Sequence, residues 1–121
     1  MPIQRILIVD DSPVERHILT EVLTGNGYAI SIATDGTQGV EAARREQPDL
    51  IIMDVVMPGM NGFQATRALN RDETTRHIPV ILCTTKNEET DKIWGMRQGA
   101  QDYVTKPIDP ATLLAKIAAL G

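Results

Sequence analysis

The 121-residue sequence has little cysteine, histidine or aromatic content, and each shortage excludes a class of protein. Its single cysteine, Cys83, excludes an internal disulfide. Because Cys83 lies in the apolar run VILC, we expect a small buried side chain rather than a reactive thiol. One cysteine and two histidines supply too few nitrogen and sulfur ligands for an ordinary zinc site.

Long apolar runs and an excess of positive charge are also absent. The longest uninterrupted apolar runs, among them ILIV, LIIM and VILC, have four residues, and the start MPIQR lacks the apolar segment of a signal peptide or membrane span. We therefore expect a soluble, cytoplasmic protein without membrane insertion. The formal net charge of −4 and the pI near 5.1 give no general attraction for nucleic acid, so direct binding to DNA or RNA is not expected.

The length and the apolar content fit one compact domain. With 121 residues, of which 42% are hydrophobic, the chain can bury a single core. We expect one domain over residues 1–121 and no output domain. Short apolar runs alternate with longer segments of helical periodicity, a pattern typical of an α/β fold with a parallel sheet and helices on both faces.

Five strands and five helices are predicted in strict alternation. The strands are expected at residues 5–9, 29–33, 50–53, 79–84 and 102–104. Helix starts are expected at Ser12 or Asp11 with Pro13, at Asp35-Gly36, at Asn61, at Asn87 and at Asp109-Pro110. The inward face of the first helix is predicted to carry Val14, Ile18 and Val22, with Leu19 and Leu23.

Polar residues follow four of the five predicted strands. They are Asp10 and Asp11 after the first strand, Asp54 after the third, Thr84 at the end of the fourth and Lys106 after the fifth. Right-handed crossovers bring these strand ends to one edge of the sheet, where ligands of such folds bind. Asp54 is the most informative of them, because an unpaired carboxylate between LIIM and VVM would be costly or would take up a proton. We therefore predict that these residues converge in one pocket.

Three neighbouring carboxylates repel one another, so the pocket should hold a proton or a hard cation. Mg²⁺ fits better than Ca²⁺, because few protein oxygens are offered and water or phosphate oxygens can complete an octahedron. A cation there can bridge a phosphoryl group to the protein, and Asp54 can act as a nucleophile, as carboxylates do in enzymes that form aspartyl phosphates. Lys106 can pair with the phosphoryl oxygens, and the Thr84 hydroxyl can donate to another oxygen.

Each of these residues also has a purely structural interpretation. Asp-Asp-Ser-Pro is a good helix start, Lys106-Pro107 is a turn signal, and a threonine is ordinary at a strand end. Their joint occurrence at matching ends of different strands favours a functional pocket. Nucleotide binding is not supported, because GNGYAI follows a helix and no GxxxxGK[ST] motif occurs.

The chain resembles the bacterial two-component response-regulator receiver domains (CheY-like) from end to end. The resemblance is carried by LIVDDSP (7–13), IIMDVVMPGMNG (51–62), Thr84 and DYVTKP (102–107). It implies a doubly wound, flavodoxin-like five-stranded parallel sheet of order 2-1-3-4-5 with (βα)5 topology.

The resemblance also implies a role for each acidic residue of the pocket. Asp54 would be the phosphoacceptor and, with Asp11, a ligand of Mg²⁺. Asp10 would contribute mainly through a bound water, and the backbone carbonyl of Val56 would be a third ligand. Lys106 would neutralise the phosphoryl group, and its peptide bond to Pro107 is expected to be cis.

Thr84 and Tyr103 match the switch pair of the receiver family. On phosphorylation the hydroxyl moves toward the phosphoryl group and the aromatic ring turns inward, which biases a two-state surface. That surface would be the face of the fourth helix, fifth strand and fifth helix, where Trp94 and Tyr103 are expected to contact a partner. Packing of Trp94 in the core is an equally open interpretation.

The resemblance implies a signalling protein and not an enzyme with a separate substrate, although receivers promote their own phosphorylation and dephosphorylation. The phosphoryl group would come from a sensor histidine kinase or its phosphotransfer domain, and a monomer or weak dimer would act on an unidentified target. VVMPGMNGFQATRALNRD and TTKNEETDKIWGMRQGAQDYVTKP most resemble PilH-type stand-alone receivers of type IV pilus chemosensory systems, which govern twitching motility. Val56 and Lys86 depart from many receivers, which leaves open both the aspartyl-phosphate lifetime and the choice between signal transmitter and phosphate sink.

Two functions of other classes are alternatives. Aspartate-dependent phosphatases use a similar fold and nucleophile, but they carry a second carboxylate two residues after the first, where this chain has Val56. A phosphorylation-independent docking module would have no use for the full set of acidic, threonine and lysine residues.

Overall fold

The computed structural model describes residues 2–121 and contains one five-stranded parallel sheet of order β2-β1-β3-β4-β5. Strands and helices alternate along the chain, which confirms the predicted fold class. The elements are β1 (Arg5–Val9), α1 (Pro13–Thr24), β2 (Ala29–Ala33), α2 (Gly36–Glu46), β3 (Leu50–Met53), α3 (Gly62–Arg71), β4 (Val80–Thr84), α4 (Glu89–Arg97), β5 (Asp102–Thr105) and α5 (Pro110–Leu120). Over residues 2–121, no helix has both the length and the apolar character needed to cross a bilayer.

Two apolar layers cover the sheet, because successive side chains of a strand point to opposite faces. One layer joins alternate strand residues to α2 and α3, for example Leu7 to Val40 and Leu69. The other layer joins the remaining strand residues to α1 and α5 and includes Cys83. Cys83 is buried as predicted, and burial raises the pKa of its thiol to about 12, so it remains protonated at neutral pH.

Helix α1 packs on the sheet through a different stripe from the one predicted. Leu19 and Leu23 are fully buried, but Val14 is 67% exposed and Ile18 is 41% exposed, so their inward assignment is wrong. Both pairs follow the i, i+4 spacing of a helix and form adjacent stripes. Only one stripe can face the sheet, and Leu19 and Leu23 occupy that position.

Four of the five helix starts agree with the predicted caps, including Asp109 of α5, and the start of α4 differs. Ser12, Asp35 and Asn61 cap α1, α2 and α3 through side chains that accept a backbone N–H. The cap of α4 is Glu88 instead of Asn87, so that prediction is wrong by one residue. The Glu88 N–H donates to Asp91 Oδ2 at 3.3 Å, which places the first turn one position later.

Gly62 brings the start of α3 against the segment that carries Asp54. Its N–H donates to the Val55 carbonyl at 2.9 Å. A Cβ at this position would overlap the Asp54 carbonyl oxygen and lie 2.7 Å from the Val55 Cα. Backbone atoms cannot move aside as a side chain can, so any larger residue must displace the loop.

Gly62→Ala should therefore lower the free energy of unfolding by about 3 kcal/mol or more, because the added methyl group collides with backbone. Urea unfolding followed by circular dichroism measures this change. Arg67→Ala, at an exposed position of the same helix, serves as the control and should change stability by no more than about 0.5 kcal/mol. A Gly62→Ala protein as stable as the control would contradict the close approach.

Candidate functional site

The carboxyl ends of β1 and β3 place three carboxylates together. Val9 of β1 pairs with Met53 of β3, and the Asp54 N–H donates to the Val9 carbonyl at 2.9 Å. Carboxylate oxygens of Asp10, Asp11 and Asp54 lie within 4.8 Å of one another. The structure thus brings together the acidic residues that the sequence predicted to converge.

Lys106 enters the same pocket from the end of β5. Its N–H donates to the Thr84 carbonyl at 2.8 Å, which anchors the lysine beside β4, and its peptide bond to Pro107 is cis. The side chain is only 6% exposed. Its ammonium Nζ lies 2.7 Å from Asp10 Oδ2, 3.7 Å from Asp54 Oδ2 and 3.9 Å from Glu15 Oε2.

Burial and charge act in opposite directions on the two central groups of the pocket. Burial is the main cause of the raised pKa of Asp54. The Lys106 ammonium acts to lower this pKa, and the Thr84 hydroxyl does so more weakly, whereas the Asp10 charge acts to raise it. Burial also acts to lower the pKa of Lys106, but the hydrogen bond to Asp10 and the surrounding carboxylates outweigh burial, so this pKa is raised. Lys106 therefore carries its charge at neutral pH.

Asp10 has its carboxylate oxygens engaged by the protein itself. Oδ1 accepts the Ser12 N–H at 2.9 Å and Oδ2 accepts from Lys106 at 2.7 Å, while the Asp10 backbone carbonyl accepts from Arg16 Nη1 at 2.9 Å. Asp10 is buried and Asp11 is exposed. The carboxylates of Asp11 and Asp54 are consequently better placed than that of Asp10 to bind a cation directly.

The three carboxylates and their separation fit a magnesium ion. Hard oxygen donors from a few residues, with the remaining positions open to water or phosphate, are what this cation prefers. Oxygens within 4.8 Å of one another can share one ion. The carboxylates of Asp11 and Asp54 can supply the direct contacts.

Thr84 and Tyr103 meet at the backbone of Lys86. The buried Thr84 Oγ1 accepts the Lys86 N–H at 3.4 Å, and the Tyr103 hydroxyl donates to the Lys86 carbonyl at 2.6 Å. Tyr103 is 8% exposed, and burial, followed by the charges of Asp91 and Asp54, raises its pKa to about 12. The Tyr103 ring thus lies inward in this conformation, and its contact with a partner stays a prediction.

Trp94 lies on the surface of α4 and not in the core. It is 49% exposed and stands beside the exposed side chains of Ile93 and Met96. The buried residue of this helix is Gly95, where a Cβ would meet Leu82 Cδ1 at 2.6 Å. Of the two interpretations of Trp94, the structure therefore supports the surface one.

Sequence reasoning missed two residues that border the pocket, Glu15 and Arg16. Ser12-Pro13-Val14-Glu15 has the form of a capping box, which gives Glu15 a sufficient local role. Arg16 precedes an exposed histidine in a helix and has no local mark of function. Only the fold shows that Glu15 faces Lys106 and that Arg16 binds the Asp10 carbonyl.

Comparisons with known proteins agree with this geometry. The family described as the response regulator receiver domain matches residues 6–118. The chain is 58% identical over 116 residues to protein PilH of Pseudomonas aeruginosa, and the match covers 96% of each sequence.

Two solved structures show the same fold. Chemotaxis protein CheY4 of Vibrio cholerae matches with a TM-score of 0.91 and 31% identity, over 98% of this chain and 99% of that one. The receiver domain of a Pseudomonas aeruginosa sensor histidine kinase, described with a magnesium ion coordinated in its active site cleft, matches with a TM-score of 0.89 and 32% identity. That match covers 97% of this chain and 96% of the other. The chain therefore belongs to the response regulator receiver domain family.

Proposed function

We propose that Asp54 accepts a phosphoryl group from the phosphohistidine of a sensor histidine kinase or its phosphotransfer domain. The observation that carries this proposal is the buried Asp54 carboxylate, held between the Lys106 ammonium at 3.7 Å and two further carboxylates. This arrangement offers a nucleophile, a fixed positive charge and donors for a cation at one point.

Magnesium would be held by Asp11 and Asp54 directly, by the backbone carbonyl of Val56, and by Asp10 through a water molecule. The two protein donors already on the Asp10 carboxylate support its indirect role. When bound, the ion supplies positive charge that neutralises the acidic cluster and the phosphoryl oxygens. The magnesium described for the related receiver from Pseudomonas aeruginosa supports the same choice of metal.

In the proposed transfer, an Asp54 carboxylate oxygen forms a bond to phosphorus while the bond from phosphorus to the histidine nitrogen breaks. The electron pair of that bond leaves with the imidazole. No proton has to be removed from the nucleophile, because the attacking group is a carboxylate. Lys106, whose raised pKa keeps it charged, pairs with the new phosphoryl oxygens. The Thr84 hydroxyl donates to another of these oxygens.

The switch would pass through Lys86, whose N–H binds Thr84 and whose carbonyl binds Tyr103. Movement of the Thr84 hydroxyl toward a phosphoryl group removes an acceptor from the Lys86 N–H and releases this loop. The loop leads into α4, where Ile93, Trp94 and Met96 are exposed. We propose that this α4 surface contacts the target, with Trp94 in contact and Tyr103 acting behind it.

The donor would dock on the exposed stripe of α1. Val14 and Ile18 form an apolar surface on the same helix as Glu15, which borders the pocket. A phosphohistidine that reaches Asp54 must bring its own helix or loop over this edge of the sheet. The two side chains can then pack against the donor protein.

The 58% identity to PilH supports a proposed role in type IV pilus chemosensory control, hence in twitching motility. We propose that the protein acts in the cytoplasm as a monomer or weak dimer. Whether the protein transmits a signal or drains phosphate depends on the lifetime of the aspartyl phosphate. No catalytic conversion of a separate substrate is part of this proposal.

The phosphatase alternative is not favoured by the site. The position two residues after Asp54 is the exposed Val56, which has no acid or base. Val56 also lines a cavity of about 300 Å³ beside the pocket, whose other walls include Met57, Phe63 and Lys86. A docking module independent of phosphorylation would not need a buried ammonium group between carboxylates.

Incubation with phosphoramidate and Mg²⁺ should add one phosphoryl group to the wild type and none to Asp54→Asn, because the amide is not a nucleophile. Intact mass spectrometry measures the adduct, which hydroxylamine should remove and a chelator should prevent. Asp109→Asn, an equal change at the exposed start of α5, should behave as the wild type. Normal phosphoryl uptake by Asp54→Asn would disprove the assignment.

In magnesium-free buffer, Asp54→Asn should be more stable than the wild type at neutral pH. Because the native pKa of Asp54 is raised above 3.8, the native wild type loses stability as the pH rises from about 3.8 through that native pKa. The amide does not titrate, so the stability advantage of Asp54→Asn should grow as the pH rises from about 3.8 toward neutrality.

Urea unfolding of both proteins between about pH 3 and pH 7 measures this difference. Addition of Mg²⁺ should then stabilise the wild type more than Asp54→Asn, because a ligand of the native state is lost in the variant. A stability difference that does not change with pH would show that burial of the charge is not the cause.

Ile18→Asp should lower the transfer rate from a phosphohistidine protein about tenfold, because the apolar docking stripe receives a charge. The donor is any such protein that phosphorylates the wild type, with transfer followed by radiolabel. Uptake from phosphoramidate should stay within about twofold, since this small donor needs no docking surface. Ile93→Asp, an equal change at a residue 48% exposed on α4, should leave both rates unaffected. Equal loss in both variants would reject docking on α1.

A further inference from the structure

Glu15 has the sequence position of a capping residue but directs its side chain elsewhere. In a capping box, its carboxylate would accept the N–H of Ser12. The Ser12 N–H instead donates to Asp10 Oδ1 at 2.9 Å, and only the reverse half of the box remains, with the Glu15 N–H bound to Ser12 Oγ at 3.3 Å. Glu15 Oε2 lies 3.9 Å from Lys106 Nζ. The carboxylate of Glu15 thus faces the pocket and is not required for the helix start.

Lys106 therefore has more negative charge around its ammonium than its phosphoryl role requires. Its ammonium faces Asp10, Asp54 and Glu15, and the side chain is almost completely buried. Asp10 and Asp54 belong to the proposed magnesium site, whereas Glu15 lies one turn into α1 and is outside that set. When Asp54 carries a phosphoryl group, the N–H donors of Lys106 have to turn to its oxygens. The Glu15 carboxylate then attracts the same ammonium charge from 3.9 Å and repels the incoming anion.

Other charged groups near Glu15 do not remove this competition. Arg16 donates to the backbone carbonyl of Asp10 at 2.9 Å. Further along α1, His17 pairs with Glu21 at 3.6 Å. Within residues 2–121, Lys106 is the cation that forms an ion pair with Glu15. The negative charge of Glu15 therefore acts mainly on the pocket.

We propose that Glu15 is a positioning residue that restrains Lys106 and slows phosphoryl transfer to Asp54, while its charge strengthens the attraction of the pocket for a divalent cation. The inference rests on the proposed phosphoacceptor role of Asp54. It requires no change in the chemical step: the bond from Asp54 oxygen to phosphorus forms, the phosphorus–nitrogen bond of phosphoramidate breaks, and ammonia leaves with the electron pair.

The two consequences of removing this charge have opposite signs. Glu15→Gln should take up phosphoryl groups from phosphoramidate about two- to fivefold faster at saturating Mg²⁺, as expected for the loss of one partly exposed charge interaction. The same variant should bind Mg²⁺ about twofold more weakly. Loss of a merely structural contact would slow uptake or leave both quantities unchanged.

Intact mass spectrometry gives the uptake rate, and isothermal titration calorimetry gives the Kd for Mg²⁺ independently of any phosphoryl transfer. Glu21→Gln is the matched control, because Glu21 is an exposed glutamate of the same helix that contacts His17. Both of its measurements should equal those of the wild type. Acetyl phosphate, which carries more negative charge than phosphoramidate, should gain more from Glu15→Gln.

A second variant separates this effect from damage to the helix. Glu15→Asp keeps an acidic group in the first turn of α1, where it favours the helix, but its shorter side chain withdraws from Lys106. Its uptake should also be faster than that of the wild type. If both variants take up phosphoryl groups no faster than the wild type, the proposal for Glu15 is overturned, whereas the role of Asp54 as phosphoacceptor stands. Absence of uptake by the wild type would overturn the phosphoacceptor role and this inference with it.

Discussion

The pocket depends on the buried ion pair between Lys106 and Asp10, whose Nζ and Oδ2 atoms lie 2.7 Å apart. A buried pair is tolerated only when its remaining polar atoms are also bound. Here the second Asp10 oxygen accepts the Ser12 N–H, and the Lys106 backbone N–H is bound to β4 through Thr84. The two residues are 96 positions apart in the sequence, so the pair can form only after β5 has joined the sheet. The charge balance of the pocket is therefore a property of the complete fold.

The apolar strands explain why a carboxylate follows them directly. β3 and β4 are buried over their whole length, as expected for central strands of a parallel sheet covered on both faces. Such strands end abruptly at the edge of the core, and Asp54 is the first residue beyond β3. Burial strengthens every charge interaction that Asp54 makes, and it also raises the pKa of Asp54. Its position therefore makes the Asp54 carboxylate reactive, but burial of its charge lowers the stability of the fold. The Lys106 ammonium offsets part of that loss.

Periodicity and local motifs predicted the features that depend on nearby residues. The bounds of β1, β2 and β3 were predicted from the local apolar pattern, and the caps at Asp35 and Asn61 from residue type. The misses at α1 and at Glu15 share a physical reason, because both depend on contacts that are distant in sequence. Helical spacing cannot tell which of two adjacent stripes of α1 meets the sheet, so Val14 and Ile18 were assigned inward. A capping motif gives Glu15 a local partner, whereas the fold supplies Lys106.

Tyr103 shows how the switch and the α4 surface can be linked without a direct contact between the ring and a target. Its hydroxyl donates to the Lys86 carbonyl at 2.6 Å, whereas the bond between the Lys86 N–H and Thr84 is long, at 3.4 Å. A long bond contributes less than a short one, so phosphorylation can detach Thr84 from Lys86 at little cost. The stronger bond keeps Tyr103 with the loop that precedes α4. Any displacement of that loop then moves both the Tyr103 ring beneath it and the exposed Trp94 on α4. The loop at Lys86 is therefore the element through which the pocket and the α4 surface affect each other.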